Sequence, residues 1–170
     1  ATGEVNWPAD VWRTRTCMTA VLAGDLVVGS GGGGLVGDTL VGVRPPSGEG
    51  SVAEVVYDIK KSIPLVPTAL YKDGLLYLAQ DTGVLSCVNA ETGEEVWRKR
   101  TRGKFYASPI AVGDRIFCVN RRGDVLVLKA GEKFEQLAKN PLGDDSYATP
   151  AVVNGTMVFR TASQLLSVGG

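Results

Sequence analysis

Four segments of the chain share one layout, and that repetition limits the fold more than any other feature. They are TAVLAGDLVVGS from Thr19, TALYKDGLLYLAQ from Thr68, SPIAVGDRIFCVN from Ser108 and TPAVVNGTMVFRT from Thr149. Each opens on a Thr or Ser, runs through a few apolar positions, turns, and runs apolar again. The turns fall at Gly24 and Asp25, Asp73 and Gly74, Gly113 and Asp114, and Asn154 and Gly155. Such pairs supply the positive backbone angles that short hairpin loops demand, so the layout predicts four β-hairpins.

In the middle copies a second turn at Gly83 and Gly123 leads into VLSCV and VLVL, a third strand. Thr92 and Gly93 then turn into a fourth that carries Val96 and Trp97. The openings lie 49, 40 and 41 residues apart, and the longer first interval holds its extra residues around GGGG at 31–34 and in RPPSGEGSVAEVVYD. Runs such as LLYLA, IFCV and VLVL do not alternate, which marks sheets buried on both faces. Four-stranded antiparallel sheets that recur at this period, each clamped between neighbours, are propeller blades; a β-sandwich leaves the constant spacing unexplained. The expected fold is therefore an all-β propeller domain or segment over 1–170, with blade units at about 17–65, 66–104, 105–147 and 148–170. They form a small ring or part of a larger propeller of seven or eight blades. The last unit lacks its fourth strand and the segment Glu4 to Trp7 lacks three preceding ones. These two are expected to pair, Glu4 to Trp7 with Gln164 to Val168, within one chain or between chains.

Composition agrees with strands and turns: 23 Val, 4 Ile and 12 Thr favour the one, and 22 Gly the other. Eighteen basic residues balance 18 acidic ones, so the whole molecule offers no electrostatic footprint for nucleic acid or an anionic membrane. No apolar stretch approaches the roughly 18 residues of a membrane helix. Histidine is absent, which removes the usual general base, the usual zinc ligand and every imidazole-based triad. Cys17, Cys87 and Cys118 form neither a CxxC nor an adjacent pair. Cys87 and Cys118 sit in apolar runs, and buried thiols acting as small hydrophobes are the expectation. The first residues, ATGEVNWPAD, carry neither the basic start nor the apolar stretch of a signal peptide and read as a processed or excised segment.

The segment NAETGEEVW, Asn89 to Trp97, together with ATGEVNW at the start, resembles the Trp-docking repeat of quinoprotein-like β-propellers. That superfamily includes pyrroloquinoline-quinone alcohol dehydrogenases and a non-catalytic propeller lipoprotein of bacterial outer-membrane assembly. The later blades, with ASPIAVGDRIFCVNRRGDV and FRTASQLLSVGG, are most similar to exported bacterial propellers. The resemblance implies blade docking by Gly3, Trp7, Thr92, Gly93 and Trp97, with the glycines in tight turns and the Trp rings wedged against a neighbouring blade. It also implies a periplasmic or envelope setting. Two departures stand out: the third unit has AGEKF with Phe134 in place of Trp, and the first carries PPSGEG instead of the motif. Dehydrogenases of the superfamily hold their quinone on the propeller axis with calcium, a catalytic Asp and often an adjacent-cysteine disulfide. None of these transfers onto a residue of this chain, so no catalytic, cofactor or metal residue is assigned and no cofactor is expected.

Three remaining motifs bear on chemistry. Gly29, Gly31 and Gly34 spell GxGxxG, but a dinucleotide fingerprint must open a helix, whereas here an apolar strand resumes at Thr39. A hairpin loop is expected. RKRTRGK gathers Arg98, Lys99, Arg100, Arg102 and Lys104, a solvated strand and loop or, on one propeller face, a patch for an anion or partner through Arg98, Arg100, Arg102 and Lys104. Asp144 and Asp145 offer oxygen ligands for calcium without the spaced run of a dedicated loop, and read as loop acidity. The functional expectation is a non-catalytic scaffold or protein-binding module, bound to a partner protein, to further blades or to itself. A fragment of a quinone-dependent dehydrogenase and the sensor part of a signalling protein are the alternatives.

Overall fold

The computed structural model describes residues 3–12, 15–32, 38–48 and 50–169. The elements are β1 (Val21–Ala23), β2 (Leu26–Gly31), β3 (Thr39–Arg44), β4 (Glu54–Ile59), β5 (Leu70–Lys72), β6 (Leu75–Ala79), β7 (Val84–Asn89) and β8 (Glu95–Arg100). They continue with β9 (Ile110–Val112), β10 (Arg115–Val119), β11 (Asp124–Lys129), β12 (Gln136–Pro141), β13 (Ala151–Val153), β14 (Thr156–Arg160) and β15 (Leu165–Val168). They form antiparallel meanders in chain order, three sheets of four strands (β1–β4, β5–β8 and β9–β12) and one of three (β13–β15). Among the described residues no helix is long and apolar enough to cross a membrane.

Three apolar cores hold the blades together. Leu26, Val28 and Leu40 of the first blade pack with Leu76, Leu78 and Val88 of the second. Tyr77, Leu85 and Cys87 on the other side of that sheet pack with Ile116, Cys118 and Leu126 of the third. Val119, Val125 and Val127 then meet Phe159 of the fourth. Strand β6 shows why its run is apolar throughout: all five residues are buried, odd positions against one neighbour and even positions against the other. Among the described residues no such core joins the fourth blade to the first, so the blades make an open arc and not a closed ring.

The recurrent Thr or Ser now has a reason. The Thr19 N–H donates to Thr68 Oγ1 (3.2 Å), the Thr68 N–H to Ser108 Oγ (2.9 Å) and the Ser108 N–H to Thr149 Oγ1 (2.9 Å). Each innermost strand is thus tied to the next by the hydroxyl that begins it, and the hydroxyl satisfies a backbone donor at the sheet's edge.

Within the chain, the expected pairing of Glu4 to Trp7 with Gln164 to Val168 does not form. Residues 3–12 form no strand, and β15 pairs with β14 alone. The segment lies instead on the first blade, where Trp7 lines a cavity with Pro46 and Ser51. A Cβ at Gly29 would come within 2.7 Å of the Trp12 ring and one at Gly31 within 2.8 Å. The aromatic surface of Trp12 thereby covers a sheet face that would otherwise be solvated, which outweighs pairing with a distant edge. Gly29 and Gly31 accordingly belong to β2 itself, bare because Trp12 needs the space, while Gly34 lies outside the described residues.

Candidate functional site

The blade junctions come first, because they hold the site in place. Trp97 on β8 pairs with Cys87 immediately before a β-bulge between Cys87 and Val88, and a bulge re-aims the side chains beside it. Its ring packs 6.2 Å from Tyr77 and 5.3 Å from Phe134. Its Nε1–H donates to the Gly131 carbonyl on the next blade's turn (3.1 Å), and the Gly131 N–H donates to Tyr77 Oη (2.7 Å). Bulges at the same register place Tyr57 opposite Gly42 in the first blade and Ala138 opposite Val127 in the third. Tyr57 therefore does for the first junction what Trp97 does for the second, and its hydroxyl donates to the Ala90 carbonyl at 3.1 Å. PPSGEG hid this equivalence, because the longer turn moves the aromatic away from its glycine.

Gly93 is doubly constrained, with a φ of 74° and the Tyr57 ring 2.7 Å from where a Cβ would stand. Thr92 shapes the same turn through its hydroxyl, which accepts from the Glu94 N–H, while Asn89 Oδ1 accepts from the N–H groups of Glu91 and Thr92. Gly3 has a φ of 80° in open space. Phe134 does not take the role of Trp97 toward the following blade. It packs back on Trp97, and the equivalent position is the small Ala138.

The connections between blades and the turns between second and third strands share one end of the arc. Each connection is clamped to its own blade's turn and touches the turn that follows. Thr101 donates through N–H and Oγ1 to the Gly83 carbonyl (2.8 and 3.0 Å), and the Arg121 N–H donates to the Lys104 carbonyl (2.8 Å). Asn120, fully buried, donates from Nδ2 to the Arg102 carbonyl (3.2 Å) and accepts at Oδ1 from the Arg122 and Asp124 N–H groups.

These clamps enclose a cavity of about 540 Å³ lined by Arg100, Lys104, Arg121, Arg122 and Asp145. Arg100 ends β8, Lys104 lies in the connection after it, and Arg121 and Arg122 come from the turn after β10. Arg121 is the organised member: its guanidinium lies 4.8 Å from the Tyr106 ring centroid and 4.9 Å from that of Tyr147, and it donates to Tyr147 Oη at 3.1 Å. That hydrogen bond raises its pKa above the ordinary value, and its Nε–H is shielded from solvent without a partner. Of the four patch residues expected from sequence, Arg100 and Lys104 line this cavity. Arg98 is ion-paired with Glu95, and Arg102 contributes its carbonyl to Asn120. Arg121 and Arg122 were missed, although Tyr106 and Tyr147 at equivalent places in YASP and YATP mark a repeated aromatic pair on that face.

Asp144 is taken up by hydrogen bonds within the last turn. Asp144 accepts from the Ser163 N–H (2.9 Å) and Oγ–H (2.8 Å) and from the Asp145 N–H (2.7 Å), and so pins the last turn. Among the described residues no group of three or more His, Cys, Asp or Glu is placed to hold a metal. Cys87 and Cys118 are buried on different strands of one core, their thiols pushed up to about 12 by burial, while Cys17 is exposed. The described residues thus offer neither the ligand cluster nor the adjacent-cysteine pair that the calcium and disulfide of the quinone-dependent dehydrogenases require.

No curated protein matches the sequence. The structure of BamB from Moraxella catarrhalis superposes with a TM-score of 0.73 at 16% identity, over 93% of this chain and 49% of that one; the chain therefore spans about half its length. The computationally designed Ika4 protein superposes with a TM-score of 0.78 at 10% identity, over 98% of both chains. A europium-containing methanol dehydrogenase reaches a TM-score of 0.56 at 11% identity, over 75% of this chain and 24% of its own. At these identities the likenesses carry the propeller fold and nothing more. The sequence itself goes further: residues 1–168 match the family described as outer membrane protein assembly factor BamB, and the chain belongs to that family.

Proposed function

We propose that this chain is a non-catalytic propeller scaffold of the bacterial envelope that binds a protein partner through the end of the arc carrying its inter-blade connections. Family membership supports the envelope setting. The observation that carries the reading is Arg121 held between Tyr106 and Tyr147 beside three further cations. Arg and Tyr are residue types that concentrate binding energy at protein interfaces, and the two rings that already hold Arg121 reduce the rotamer freedom it would lose on binding. Tyr106 and Tyr147 remain 38% and 42% exposed despite their ring contact, which leaves aromatic surface for a partner.

The test is photocrosslinking in intact cells that produce the chain in its natural setting. A photoreactive residue at Thr101 or Tyr147 is expected to give one discrete protein adduct, and the same probe at Leu137 on the outer strand β12 to give none. Adducts from Leu137 alone, or from neither end, would remove this face as the binding surface.

A further inference from the structure

We propose that the Arg121 cavity recognises carboxylates and seats an acidic segment of the partner, an inference that rests on the protein-binding reading above. The charge argument is local. Four cations face one carboxylate, Asp145, in a chain whose formal charge is zero. Among the described residues none of the four cavity cations holds an acidic partner within 4.0 Å, as is also true of Lys61, Arg102 and Lys133, and what sets the four apart is that they converge on one hollow. Within the protein their charge is offset only at longer range, by Asp145 toward Arg121 and by Asp124 toward Arg122, which leaves room for an anionic ligand.

The backbone bears on which anion. A compact phosphate is gripped by converging N–H groups in a turn or at a helix start, and here the donors of the turn after β10 are engaged. The N–H groups of Thr101, Arg121, Arg122 and Gly123 all donate within the protein, to Gly83 O, Lys104 O, Asn120 Oδ1 and Asn120 O. The three arginines are the main donors that converge on the cavity, and the forked guanidinium takes a carboxylate in bidentate fashion. Shape points to an extended ligand. Tyr147, bonded to Arg121, is also a wall of a second cavity of about 470 Å³, lined further on by Thr161, Ser163 and Gln164. The two hollows adjoin across the Arg121–Tyr147 pair and make a strip from one blade to the next. A strip with four cations at one end, and Arg160 with aromatic surface and hydroxyls at the other, suits a peptide with several Asp or Glu side chains.

The experiment is fluorescence anisotropy on the full chain with a dye-labelled Glu-rich peptide and its Gln counterpart. The Glu peptide is expected to bind saturably and the Gln peptide to fail, with binding weakened by added salt as exposed charges are screened. Replacing the exposed Arg100 and Arg122 together (R100Q/R122Q) should weaken binding by about tenfold or more, whereas Arg98→Gln, outside the cavity, leaves it unchanged. Arg121→Lys keeps the charge and loses the planar stack, and is expected to weaken binding too. Equal affinity for the two peptides, an equal loss in Arg98→Gln, or full displacement of the peptide by inorganic phosphate would each overturn the proposal. A crosslinked partner without acidic-peptide binding sinks the carboxylate site and leaves the scaffold reading standing; peptide binding without an adduct does the reverse.

Discussion

Tyr57 and Trp97 occupy one register position in successive blades, and each crosses a junction to reach a carbonyl in the neighbouring third-to-fourth-strand turn. The ring contributes apolar contact and the polar tip contributes direction. Removing only the hydroxyl, Tyr57→Phe, strands the Ala90 carbonyl of that bond and is expected to cost about 1 kcal/mol. Trp97→Ala removes the ring from between Tyr77 and Phe134. Because the ring is half-buried, the loss should be about 2 to 3 kcal/mol, below the roughly 3 to 5 kcal/mol of a fully buried aromatic. Chemical denaturation of the two variants checks both values; a Trp97 variant as stable as the parent would show that the ring merely covers surface. Cys87, which pairs directly with Trp97, lies fully buried under this contact and acts as the small hydrophobe its apolar run implied.

At the scale of elements, the last turn is held by an acid. Hydrogen bonds from Ser163 first, side chain and then backbone, keep the Asp144 pKa below its ordinary 3.8. A carboxylate depressed in the folded state stabilises the fold above its unfolded pKa, and that contribution is lost as pH falls through the lower folded value. Acidification below 3.8 should therefore loosen the 161–164 turn, and Asp144→Asn should flatten that part of the stability–pH curve by lowering stability at neutral pH toward its acid value. The third junction is also the weakest, since Ala138 stands at the docking position and a largely apolar cleft of about 480 Å³ opens between Phe117 and Met157. Amide exchange is expected to be fastest in β13–β15, whose opening breaks the fewest buried contacts; uniform protection across all four sheets would contradict this. The hairpins were legible in sequence because glycine-bearing turns and unbroken apolar runs are local signals. The docking role of Tyr57 was not, because extra residues in a turn shift spacing without shifting register. Nor was the cationic cavity, since Arg100 and Arg122 meet only once one blade's connection folds over the next blade's turn.

For the whole molecule, the two ends of the arc differ. Trp12 covers the outer face of β2, whereas β15 shows an unpaired edge with Leu165 72% and Val168 56% exposed. Strand edges of this kind recruit further strands unless charge, proline or a bulge blocks them, and β15 carries none of these along Leu165–Val168. The 170-residue chain should therefore associate with itself as concentration rises, through β15 and the neighbouring sheet face. Light scattering across a dilution series would detect the change in mass. Leu165→Lys or Val168→Lys places a charge on the edge without touching a buried core, and either should return the chain to monomer. The Arg100 and Arg122 substitutions lie at the connection end and should leave association unaltered, which separates edge pairing from partner binding. A single monomeric mass at every concentration would mean that the edge is protected by geometry, and that strand addition plays no part in how this arc is completed.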